Sequence, residues 1–275
     1  MVQLITDSSA DLPKELIDKY NISIVPLTII IDGKEYLEGV DLTPQEFYEK
    51  MSASKELPKT SQPSPSTFAD TFKRLSSKGP LLCLTMSSHL SGTYQSACIG
   101  RDISHADVTV FDTLAGSLGH GLLIIKAAKL AAEGLSVDKI IEALKECREH
   151  INILILLDTL ENIVKGGRLD KFKGSIAKIL DLKILLEGIN GKVEISEKVR
   201  GKKKFLNRTI EIIGERKKDF SNTVIGITHL NNPDDAEFLK NEINKRYNPK
   251  DILINYMGAT MGTYAGNGGM IISFW

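Results

Sequence analysis

Leu81-Leu82-Cys83-Leu84-Thr85-Met86-Ser87-Ser88-His89-Leu90-Ser91-Gly92-Thr93-Tyr94-Gln95-Ser96-Ala97 opens on an apolar run, passes through hydroxyl residues broken by one glycine, and closes on residues compatible with a helix. A parallel strand buried on both faces delivers a hydroxyl-lined loop into a helix N-terminus in this order. The first N–H groups of such a helix have no internal partners and the dipole there favours negative charge. A carboxylate or phosphate would therefore be held among Ser87, Ser88, Ser91 and Thr93. Taken alone, the stretch is equally well explained as a serine-rich helix cap.

A second stretch, Thr60-Ser61-Gln62-Pro63-Ser64-Pro65-Ser66, precedes an amphipathic helix carrying Phe68, Phe72 and Leu75. Its prolines stiffen the loop, and Pro65 suits the first helical position after a Ser64 cap, so the Thr60 and Ser61 hydroxyls would be held in fixed places. A capped helix start is again the simpler alternative.

Outward from these two stretches, residues 2–6 read as a strand and Asp7-Ser8-Ser9-Ala10-Asp11 as a turn into a helix near Pro13, with Asp11 able to cap it. The apolar run 24–31 contains Pro26, which implies an edge or irregular strand, and ends at the hairpin signal Asp32-Gly33. Thr43-Pro44-Gln45-Glu46 carries a capping-box pattern opening a helix. Beyond the Ser91 turn come a strand at 108–111 and the glycine-bearing stretch 112–121. That stretch leads into an apolar helix that packs closely against either a neighbour or a ligand. Ser136 caps another helix, and residues 151–157 read as a buried strand, so alternation to this point indicates a parallel sheet covered on both faces. We place the division between an N-terminal domain, 1–157, and a smaller C-terminal α/β domain, 158–275, just after that strand. The second part holds a hairpin around Asn190-Gly191, helices near 203–220 and from Pro233 capped by Asn232, and strands at 224–228, 252–257 and 270–274.

The 275 residues include 35 basic and 35 acidic side chains, a balance that disfavours nucleic-acid or membrane-surface binding as the main activity. No run approaches the ~20 apolar residues that span a bilayer, which leaves only transient membrane contact. Cys83, Cys98 and Cys147 lie in or beside apolar segments without C-x-x-C spacing, as reduced core thiols do, and the N-terminus shows no secretory signal core; the expected location is cytoplasmic. There is no G-x-S-x-G elbow, phosphate loop or H-E-x-x-H pair, so the sequence reads as a binder without cofactor or metal rather than an enzyme.

The stretches around Thr60 and Ser91, the opening 5–13, the middle Leu160-Glu161-Asn162-Ile163-Val164-Lys165-Gly166-Gly167-Arg168 and the glycine-rich C-terminus together resemble the DegV family, in order along the whole chain. The resemblance implies a two-domain α/β fold that binds a long-chain fatty acid and presents it to a separate fatty acid kinase for acyl-phosphate formation. It further implies carboxylate binding by Thr60, Ser61, Ser91, Gly92, Thr93 and residue 264, and kinase docking at Arg168 and Arg200. Tail burial at ~0.8 kcal/mol per methylene would supply most of the affinity. The helices following Phe68, Leu118 and Leu122 suit either a tunnel wall or plain core. Lysines 202–204 suit either an anionic partner or a solvated face. One position departs from the family. Gly262-Thr263-Tyr264-Ala265-Gly266 places Tyr264 where relatives have a histidine, and a phenol donates a hydrogen bond without shuttling protons near neutral pH. The competing reading is a binder or hydrolase of another small anionic ligand at the same turn.

Overall fold

A computed structural model describes residues 2–169 and 182–275. The N-terminal half runs β1 (Gln3–Asp7), α1 (Lys14–Lys19), β2 (Ser23–Val25), β3 (Thr28–Ile31), β4 (Lys34–Leu37), α2 (Pro44–Ala53), β5 (Lys59–Ser61), α3 (Pro65–Ser76), β6 (Leu81–Thr85), α4 (Thr93–Ser104), β7 (Val108–Asp112), α5 (Ser117–Ala132) and α6 (Val137–His150). There follow β8 (Asn152–Leu157), α7 (Glu161–Lys165), the hairpin β9 (Leu182–Ile189) and β10 (Lys192–Arg200), α8 (Lys202–Arg216), β11 (Val224–His229), α9 (Pro233–Tyr247), β12 (Asp251–Tyr256), α10 (Ala259–Ala265) and β13 (Met270–Phe274).

The strands form a parallel sheet, β2-β1-β6-β7, a largely antiparallel sheet, β10-β9-β8-β13-β11-β12, and a small sheet, β4-β3-β5. Pro26 interrupts the second apolar run so that Ser23–Val25 edges the parallel sheet while Thr28–Ile31 enters the small one. β6 is buried along its whole length, as its unbroken apolar sequence requires. On one side of it, α3 and α4 bury Phe68, Phe72 and Leu75.

On the other side lies α5, apolar nearly all round because it is packed on both flanks. It contacts the parallel sheet on one flank and β11 and β13 on the other, so one helix forms the joint between the two sheets. Close approach is allowed by glycines. A Cβ at Gly121 would lie 2.6 Å from the Ala10 carbonyl, and one at Gly226 would lie 2.8 Å from Leu118 Cβ.

Local signals in the sequence produce the expected elements at several places. The capping box closes with Glu46 N donating to Thr43 Oγ1 (3.3 Å) and Thr43 N donating to Glu46 Oε2 (2.9 Å). Thr67 N donates to Ser64 Oγ (3.1 Å) ahead of Pro65. Asn190 and Gly191, at φ 50° and 80°, make the tight hairpin turn.

Four expectations are corrected. The strand at 152–157 lies in the second sheet, antiparallel to β9 and β13, and not in the parallel sheet that the alternation of elements had suggested. Its continuous apolar sequence signals burial on two faces, which either sheet supplies. Asp11 does not cap α1; it adopts φ 50° and sends its carboxylate towards the C-terminal half. Ser136 and Asn232 occupy helix N-cap positions without a side-chain capping bond. Among the described residues no helix is long and apolar enough to cross a membrane.

Candidate functional site

The site is built around α10, whose entry is clamped by two carboxylates from the first sixth of the chain. Asp11 Oδ1 accepts from Gly258 N (2.9 Å) and Oδ2 from Ser117 Oγ (2.6 Å). Glu38 Oε1 accepts from Thr260 N (2.7 Å), and Oε2 accepts from Thr260 Oγ1 (2.6 Å) and Ser8 Oγ (2.6 Å). Burial pushes the Asp11 carboxyl up to about 8 against the pull of its Ser117 and Gly258 donors, and burial likewise raises Glu38. Asp11 is therefore mostly protonated at neutral pH, and the pair anchors α10 to the parallel-sheet half.

At the far end of α10, Tyr264 reaches the first hydroxyl stretch. Its phenol lies 2.6 Å from Thr60 Oγ1. Thr60 sits on β5 opposite Ile29, and strand alternation turns it inward while Ser61 faces solvent. The Tyr264 ring lies against Gly166, where any Cβ would overlap ring atoms Cδ1 and Cε1. Above the ring sits the Arg168 guanidinium, 4.7 Å from the centroid. Arg168 Nε donates to the Leu90 carbonyl (3.2 Å) and Nη1 to the Gly166 carbonyl (2.6 Å), so Arg168 ties the 160–168 segment to the residue before Ser91.

The second hydroxyl stretch meets the first through Gln62. The Gln62 side-chain amide covers Gly92, leaving no room there for a Cβ, and its Nε2 donates to Ser96 Oγ (3.2 Å). Gly92 is the N-cap of α4, and Ser91 Oγ lies 2.9 Å from Thr93 Oγ1. Thr60, Tyr264, Arg168 and the Ser91-Gly92-Thr93 turn thus belong to one rim. Arg200 does not. It is exposed at the end of β10, paired with Leu182.

Inside the rim is a narrow apolar slot. Ile153, Ile155 and Leu157 of β8 form one wall and Met261, Tyr264 and Ala265 of α10 another. Met86, Leu90, Ile163, Ile271, the 114–116 loop and the hairpin residues Gly188, Gly191 and Val193 also line it, with Arg168 and Lys192 as its cationic side chains. The slot is narrow: its cavity volume is about 70 Å³, below the roughly 300–1,000 Å³ of small-molecule pockets, so a ligand must part its walls to enter.

Phe68, Leu118 and Leu122 are core residues and line no part of it. In the glycine-bearing stretch, residues 114–116 border the slot and 117–121 enter the buried helix. The β8 wall and the α10 helix had no local signal of a pocket, because apolar strand residues look alike whether they face a core or a cavity. Among the described residues no group of three or more His, Cys, Asp or Glu side chains could hold a metal ion.

A family model described as an uncharacterised protein of the DegV family matches residues 1–275. The chain belongs to the DegV family. A DegV domain-containing protein of Caldanaerobacter subterraneus subsp. tengcongensis is 36% identical over 271 residues, covering 96% of this chain and 95% of that one. Among solved structures, a DegV family protein from Thermus thermophilus described by its fatty acid binding superposes with TM-score 0.94 at 29% identity, covering 100% of this chain and 99% of that one. A fatty acid binding DegV family protein from Streptococcus agalactiae gives 0.89 at 34% identity, covering 100% and 98%. Coverage of this kind extends the DegV fold over the whole chain.

Proposed function

We propose that this chain binds a long-chain fatty acid, with the acyl tail in the slot and the carboxylate at the rim. The observation that carries the reading is an apolar slot lined in part by Leu90, Arg168 and Tyr264, where Tyr264 meets the Thr60 hydroxyl and Arg168 is bonded to the residue before Ser91. Similarity to the Thermus and Streptococcus proteins supports the choice of ligand. In this reading Thr60, Ser91, Thr93 and Tyr264 hydroxyls and the Gly92 and Thr93 amides at the α4 N-terminus hold the head group, with Ser61 on the outer edge. Arg168 stacks on Tyr264 and adds positive charge.

A carboxyl held by hydroxyls at a rim is accessible to a partner, which supports presentation to a separate fatty acid kinase docking near Arg168 and the exposed Arg200. The chain itself then carries and does not catalyse. Tyr264 supplies a hydrogen bond to the head group, while any proton movement in acyl-phosphate formation falls to the partner.

Native mass spectrometry of the untouched protein, followed by ligand extraction, tests this. We expect one fatty acid per chain, lost or strongly reduced in a Thr60→Ala/Ser91→Ala variant. Wild-type protein that is empty and takes up neither palmitate nor oleate would overturn the reading and favour a smaller anion at the same turn.

A further inference from the structure

The Ile153 end of the slot, opposite Leu157 along the β8 wall, is a thin partition. Leu114, Ile153, Gly188 and Gly191 border the slot on one side and, on the other, a polar groove lined by Arg148, His150, Asn152, Glu187, Arg216 and Lys217. Two of those four residues are glycines, so side chains at this wall come from Leu114 and Ile153 alone.

Both are held firmly. Leu114 adopts φ 51°, a left-handed backbone that costs a branched-chain residue about 1 kcal/mol or more, and the strain is retained because its surroundings fix it. Leu114 N donates to Asp112 Oδ1 (3.0 Å), and Arg148 Nη1 donates to the Asp112 carbonyl (2.7 Å). From the opposite side, the hairpin tip presses in. Ser87 Oγ donates to the Gly191 carbonyl (2.7 Å), and a Cβ at Gly191 would lie 3.0 Å from Leu114 Cδ2. Ile153 lies against bare backbone, with a Cβ at Gly188 placed 3.0 Å from Ile153 Cβ.

We infer that Leu114 and Ile153 form the end stop of the acyl slot and set the length of tail it accepts. This rests on the fatty-acid reading above. Methylenes that stay inside the slot leave water, each strengthening binding roughly fourfold. A methylene pushed past the partition meets charged side chains and water, and gains nothing. Affinity against chain length should therefore rise and then break at a length fixed by this pair. The strained Leu114 also accounts for why a non-glycine residue stands at a left-handed position: a glycine there would leave the slot open into the groove.

The experiment loads delipidated wild type, Leu114→Ala and Leu114→Phe with an equimolar series of saturated acids, read by native mass spectrometry and by titration of each length. We expect the break to move to acids longer by roughly two carbons in Leu114→Ala, as the removed side-chain atoms leave space, and to shorter acids in Leu114→Phe. Ile153→Val provides a milder lengthening change should either fail to fold by circular dichroism. Identical breaks in wild type and folded variants would overturn the end stop while leaving fatty-acid binding intact. A wild type that takes no acid of any length would overturn the binding reading itself and the end stop with it.

Discussion

Replacing Gly166 with alanine tests the rim more sharply than removing any of its polar groups. Gly166 has φ −77° and ψ −8°, a conformation alanine adopts freely, so backbone strain contributes nothing. By itself the change would stabilise the protein by about 0.5–1 kcal/mol through the unfolded chain. The new Cβ, however, would overlap Tyr264 Cδ1 and Cε1. Ordinary carbon contacts lie near 3.5–4.0 Å, so the ring must retreat by about 1 Å or more. Retreat breaks the 2.6 Å contact between Tyr264 and Thr60, worth about 0.5–1.5 kcal/mol, and loosens the Arg168 stack at 4.7 Å, worth about 0.5–2 kcal/mol. The expected net loss is about 1–2 kcal/mol. Equilibrium urea unfolding of delipidated protein measures it, since a bound ligand would mask the change. In a Tyr264→Ala background the clash has no target, and Gly166→Ala should be neutral or slightly stabilising. An equal cost in both backgrounds, or none in the wild type, would refute the argument that Gly166 is small to admit the ring.

Two further changes probe what lies beneath the rim. The folded protein keeps a proton on Asp11, pushed up to about 8, that the unfolded chain releases near 3.8; stability from this group is full below about pH 4 and is lost as pH rises towards 8, at up to about 1.4 kcal/mol per pH unit. Glu38 is raised in the same direction. Asp11→Asn keeps an acceptor for Gly258 N and removes the titration, so its thermal midpoint should fall less steeply than that of wild type between pH 5 and 8; parallel profiles would count against a buried neutral Asp11. Gly121→Ala, with its Cβ 2.6 Å from the Ala10 carbonyl, should destabilise by about 1–3 kcal/mol despite the better helix propensity of alanine, and unchanged urea unfolding would show that α5 tolerates a wider spacing from the 8–10 turn.

Much of the fold was legible because its signals are local. The fully buried 81–85 strand, the Thr43-Pro44-Gln45-Glu46 box, the Ser64-Pro65 helix start and the Asn190-Gly191 turn each act within a few residues, and each appears in the structure. The candidate rim was legible in its parts. Thr60, the Ser91 turn, Arg168 and Tyr264 were all singled out, but the role of Arg168 was read as docking alone, whereas its guanidinium also stacks on Tyr264 and bonds to the Leu90 carbonyl. Arg200 stands apart from the rim on β10.

What the sequence determined by itself was therefore the identity of the elements and the chemistry of the head-group end, since caps, turns, buried strands and clusters of hydroxyls depend on neighbours along the chain. Tertiary structure alone decided which sheet takes Asn152–Leu157 and where the slot runs. It also decided that Asp11 and Glu38 hold Gly258 and Thr260 across more than two hundred residues of sequence. The physical reason is that apolar burial is favourable and non-directional: a side chain gains from leaving water whether it faces a core or an apolar slot, and only the packing of distant segments settles which surface it meets.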